Sequence, residues 1–101
     1  MADITVTNLA TAIDETNSLT STTASVSPTA NRLLCAAFYG DTDDNSTPAA
    51  PTPVGNTVTW VLEDSLAVGR RGLFLFRGLE AIPTTGTLVA TWGTTMRRHG
   101  W

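Results

Sequence analysis

Arg70-Arg71-Gly72-Leu73-Phe74-Leu75-Phe76-Arg77-Gly78 is apolar through its middle and fenced by arginines and glycines. Successive side chains of a strand point to opposite faces, so a run apolar on both pleat faces reads as a central strand buried on both sides. The same grammar recurs in Leu33-Leu34-Cys35-Ala36-Ala37-Phe38-Tyr39 and in Thr57-Val58-Thr59-Trp60-Val61-Leu62. Turn-forming residues separate these runs, and no segment carries a sustained helical stripe. The chain is therefore expected to be all-β.

Working outward, Ile4 and Val6 alternate with polar neighbours and predict a half-exposed edge strand over 3–8. Residues 11–23 are rich in Ser and Thr and read as a loop leading into an alternating strand over 23–27, which Pro28 stops by removing a ladder donor. Residues 40–56 are the longest expected loop, acidic at first (Asp41, Asp43, Asp44) and then proline-rich (Pro48, Pro51, Pro53). A strand over 57–63 should set Val58, Trp60 and Leu62 on one face, with Trp60 pointing into the core. Residues 65–69 read as a turn, and a strand over 87–92 ends at Gly93. Six to seven strands at this spacing favour an antiparallel two-sheet sandwich or a jelly-roll-like module. Residues 94–101 then form a terminal strand with no expected partner in the chain, ending at an exposed Trp101. The domain is 1–101, either alone or as the first module of a longer protein.

Composition narrows the classes of function. The 101 residues are 42% hydrophobic and 15% charged, enough for one modest core and too few for a second domain. Every basic side chain is an Arg. A net charge of −3 and a pI near 4.7 argue against nucleic-acid binding, which needs a basic face to displace counterions. All nine acidic residues lie at or before Glu80 and five of the six arginines at or after Arg70, so complementary ends suit head-to-tail contact between subunits. The single cysteine, Cys35, cannot staple the domain and is expected to be a buried thiol in its apolar run. The start of the chain lacks the basic and apolar regions of a secretion signal, and no apolar run reaches membrane-spanning length. The protein is expected to be soluble, made in the cytoplasm, and free of membrane contact.

Few residues offer chemistry. Asp41, Asp43, Asp44 and Asn45 gather oxygen ligands on one loop, as a calcium site requires, but without the fixed Gly and bidentate Glu of an EF-hand. Aspartate and asparagine are also ordinary turn residues, so a solvated loop is the favoured reading and no metal is assigned. Glu63-Asp64 and Asp14-Glu15 are adjacent carboxylates, yet neighbours on a strand point apart. His99 stands alone near the end of the chain, with no pattern of partners that would make a triad. No catalytic residue and no cofactor are expected. The arginine pairs Arg70-Arg71 and Arg97-Arg98, with Trp101, are candidates for a partner interface through bidentate pairing, the arginines equally for protecting an edge strand against aggregation. Trp92 and Trp101 are the aromatics expected to be exposed.

Three stretches together suggest a family: Val26-Ser27-Pro28-Thr29-Ala30-Asn31-Arg32-Leu33-Leu34, then Val58-Thr59-Trp60-Val61-Leu62, then Arg71-Gly72-Leu73-Phe74-Leu75-Phe76-Arg77-Gly78-Leu79. Over residues 20–92 the order resembles the β-sandwich modules of tailed-phage virion proteins. Those modules alternate a Pro-x-x-x-x-Leu-Leu strand, a Thr-Trp-x-Leu strand and an Arg-led aromatic strand with Gly/Thr turns. The resemblance implies a non-enzymatic structural protein of the virion, a capsid decoration, head-fibre or tail-associated module. It would dock to capsid or tail proteins and self-assemble, as a trimer or higher cyclic oligomer. The alternative is a carbohydrate-binding β-sandwich module of a tail or cell-surface protein, which would use an exposed Trp and the loop from Asp41 to Asn45.

Overall fold

The Leu33 and Arg70 stretches identified from sequence are neighbours in space. In the computed structural model, which describes residues 5–101, β3 (Leu33–Thr42) runs antiparallel to β6 (Arg71–Leu79) in unbroken register from Leu33↔Leu79 to Asp41↔Arg71. β5 (Val61–Val68) adds to the other side of β6, joined to it by a tight turn in which Gly69 takes a φ of 60°. β7 (Val89–Gly100) pairs with β3, and β1 (Ile13–Asp14), β2 (Ser18–Thr22) and β4 (Thr52–Val54) pair, among the described residues, only with β7. The described residues are all-β, with seven antiparallel strands and no helix. Hydrogen bonding joins the seven into one sheet, in the order β1-β7-β3-β6-β5 with β2 and β4 on β7, rather than into two separate sheets.

The core lies on one face of β3 and β6. Phe38, Phe74 and Phe76 form it together with Leu88, Ala90, Trp92 and Met96. Phe38 meets Phe76 edge-on at 6.1 Å, and Phe74 meets Trp92 edge-on at 5.8 Å, the arrangement aromatic quadrupoles favour. Gly40 makes the second contact possible. A Cβ there would stand 2.8 Å from Met96 Sδ and 3.0 Å from Trp92 Cη2, so the bare backbone admits both side chains of β7 onto β3.

Several expectations are corrected. β6 is buried on one face only: Gly72, Phe74, Phe76 and Gly78 point inward, while Leu73 and Leu75 remain 51% and 39% exposed. Its strand neighbours β3 and β5 cover its edges, and only one of its faces receives a covering layer. Cys35 is exposed on that uncovered face. Gly93 does not end a strand. β7 runs through it to Gly100, with register irregularities against both neighbours, because a glycine inside a strand marks a bend or bulge as readily as a stop. Residues 94–101 are consequently paired within the chain. Trp92, expected at the surface, is 2% exposed, and Trp101 is half-buried against the core with its backbone bonded to Ala12.

Other boundaries also move. The strand expected at 57–63 begins at Val61 and continues to Val68 through the expected turn at 65–69. Positive φ at Asn56 and Thr57 holds the chain in a turn first. Val58 is nonetheless buried and Trp60 packs half-buried on the core, whereas Leu62 is exposed. The expected loop at 11–23 contains β1 and β2, and the expected strand at 23–27 is reduced to a single bridge, Val26↔Gly86. The long loop 40–56 gives its first residues to β3 and its proline-rich part to β4, where Pro53 sits on an edge strand that can spare a donor. The expected strand at 3–8 starts outside the described residues, and residues 5–8 are unpaired.

Candidate functional site

The two groups of polar residues singled out in the sequence converge at one end of β3. Asp41 is 2% exposed and lies opposite Arg71 on β6 and Arg98 on β7. Three guanidiniums surround its carboxylate: Arg70 Nε at 3.1 Å from Oδ1, Arg97 Nη2 at 3.2 Å and Arg71 Nε at 3.8 Å from Oδ2. Only Arg97 donates an aligned hydrogen bond, and the Arg70 contact is ionic without the alignment. A buried carboxylate demands such partners, since its desolvation is costly unless charge and hydrogen bonds offset it. Arg70 also donates from Nη1 to Asn45 Oδ1 at 2.8 Å, tying the β5–β6 turn to the loop after β3.

The remaining members of the expected sites lie apart. Arg98 pairs with Glu15 at 2.7 Å on the surface. Asp43 is exposed and bonds Thr95 through its backbone. Asp44 accepts from the backbone and hydroxyl of Ser46, which hold its carboxyl below the usual range. Asp41 thus turns to arginines and Asp44 to Ser46, and among the described residues no group of three or more His, Cys, Asp or Glu side chains is placed to hold a metal ion.

A second polar constellation had no signal in the sequence. Ser21 Oγ lies 2.7 Å from His99 Nδ1 and 2.8 Å from Trp92 Nε1, and His99 Nε2 lies 3.7 Å from Asp14 Oδ2. An indole nitrogen can only donate, so Ser21 accepts from Trp92 and directs its own O–H to Nδ1. His99 therefore carries its proton on Nε2, facing Asp14. The row has the residue types of a nucleophile, a base and an orienting acid, but Ser21 is 0% exposed and its hydroxyl is already engaged on both sides. It is a pin that fixes β1 and β2 to β7. Asp14 also accepts from the backbone N–H of Thr16, which lowers its pKa.

The largest feature is apolar. On the face of β3, β6 and β5 opposite the core, Tyr39, Leu73 and Leu66 stand in one row and Ala37, Leu75 and Asp64 in the next. Leu33 and Leu79 pair at one end of this face, and Val68 flanks Arg71 at the other. Leu66 and Val68 are 67% and 70% exposed, and Leu33 and Leu79 both 68%. β5 is exposed at every residue and hydrogen-bonded on one side only. Two shallow depressions of about 170 and 150 Å³ lie on this face around the Leu66–Leu73 contact. The charges are paired within the face: Arg77 binds Glu63, and Arg71 turns to Asp41. Sequence reasoning named Leu73 and Leu75 but assigned them to the core, because an apolar residue awaiting a partner and one already buried look alike in a single chain.

No family model matches the chain, and no curated protein or solved structure matches it.

Proposed function

We propose that the chain is a non-enzymatic structural module of a tailed-phage virion, of the capsid decoration or head-fibre kind, that docks on other virion proteins and assembles with copies of itself. The observation that carries this reading is the uncovered aliphatic face of β3, β6 and β5. Contiguous apolar surface rimmed by polar groups marks an interaction site, and water penalises it until a partner covers it. The pairing of charge within the face leaves it close to neutral although the chain carries −3, so a partner need not be basic. The resemblance of residues 20–92 to virion modules supplies the class of assembly.

Co-sedimentation with purified tailed-phage capsids and tails tests the reading. Saturable pelleting of the chain with one of these particles is expected. A chain that stays in the supernatant at every concentration and with every particle overturns it.

A further inference from the structure

We infer that the face formed by β3, β6 and β5 packs against the same face of a second copy, giving a two-fold dimer with a shared apolar layer between two sheets. The inference rests on the assembly reading above and names the first partner. Three observations favour a second copy. β6 is apolar on both pleat faces, and the chain covers only the face bearing Phe74 and Phe76, so its pattern is that of a strand between two layers. The uncovered face holds Leu33, Leu66, Val68, Leu73, Leu75 and Leu79. At about 100 Å² of removable surface per exposed aliphatic side chain, the size implied by transfer data, these offer on the order of 600 Å². That approaches the roughly 800 Å² each partner contributes to a standard interface, and Ala37 and Tyr39 lie between them.

Charge agrees with self-pairing. Arg77 is paired with Glu63 within the face, and Arg71 turns to Asp41 at its end. Two copies of a neutral face approach without the repulsion their net charges of −3 would otherwise impose. An isologous contact also closes at two copies, since each copy buries its uncovered aliphatic face on the other. The bulge at Glu63, with Asp64 beside it, blunts the free edge of β5.

The test is light scattering of the full chain over a dilution series, with Cys35 as an internal reporter on the same face. The wild type should move from 10.7 kDa to twice that mass as concentration rises, while alkylation of Cys35 slows in step. Leu73→Glu should raise the dissociation constant by about a hundredfold or more, because a carboxylate would be desolvated without a partner. Its far-ultraviolet spectrum should match the wild type, and alkylating Cys35 with a bulky reagent should give the same loss without a substitution. A chain that stays monomeric up to sub-millimolar concentration overturns the inference. So does a dimer that survives both Leu73→Glu and the alkylation, which would place contact at the β5 edge or elsewhere. The two readings fail separately: a dimer that ignores particles removes the virion function and keeps the face, while a monomer that pellets with particles does the reverse.

Discussion

Ser21 and His99, 78 residues apart, meet in a 2.7 Å hydrogen bond sealed from solvent, and the same Ser21 oxygen accepts the indole N–H of Trp92. One hydroxyl thereby satisfies a buried donor and a buried acceptor from a single strand. Ser21→Ala leaves Trp92 Nε1 and His99 Nδ1 without partners and should cost about 2–3 kcal/mol. Urea unfolding read by tryptophan fluorescence checks this, with Thr22→Ala on the exposed side of β2 as the comparison, expected within about 0.5 kcal/mol. Equal losses would mean that the pin contributes nothing beyond strand propensity.

A small part of the acid limb of stability should trace to Asp14 and Asp44. Both have pKa values held below the ordinary 3.8 by local hydrogen bonds, Asp14 from Thr16 and Asp44 from Ser46. A carboxylate whose folded pKa is depressed contributes stability above its unfolded pKa and loses it as pH falls through the folded value. These two groups should therefore add to the loss of stability below about pH 4. The double substitution Asp14→Asn with Asp44→Asn should flatten the pH dependence of the urea midpoint in that range. An unchanged slope assigns the acid limb to other carboxylates.

Asp41 should matter more than any arginine that holds it. Removing the carboxylate leaves three guanidiniums crowded at the end of β3, and Asp41→Ala should cost about 2 kcal/mol, less than for a fully buried pair because the arginines reach water. Single arginine-to-alanine changes should each fall within about 1 kcal/mol, smallest for Arg71, whose side chain is 68% exposed and 3.8 Å away. Thermal melts of the four variants test the order. A larger loss for Arg71→Ala than for Asp41→Ala would contradict it.

Gly40 and Gly93 should respond oppositely to alanine. At Gly40 a methyl meets Met96 and Trp92, and overpacking there should cost about 1–3 kcal/mol. At Gly93 nothing lies within 4 Å of the added atom, so Gly93→Ala should be close to neutral. Calorimetry of both variants decides whether the bend of β7 needs glycine or only tolerates it.

The strands rich in aliphatic and aromatic side chains were legible because alternation is a local signal: β3 and most of β6 are found where the sequence puts them. β1, β2 and β4 were not, since residues such as Ser18-Leu19-Thr20-Ser21-Thr22 have no strong preference of their own and become strands by pairing with β7. The same limit hid the polar sites. The approach of Arg70 and Arg97 to Asp41, or of His99 to Ser21, is a property of register between distant segments. Single-chain pattern also could not separate the two faces of β6, because the outward leucines are as apolar as the inward phenylalanines.

The placement of β7 dictates an order of events during synthesis. The β5–β6 hairpin and its pairing with β3 can form as soon as Leu79 has left the ribosome, from local and middle-range contacts. Among the described residues β1, β2 and β4 pair with no strand but β7, so these already translated segments must wait, unpaired, for the strand made last. Nascent chains of this protein accordingly pass through a stage in which one hairpin sheet presents bare apolar surface on both sides, and that interval is when a chaperone would have to act.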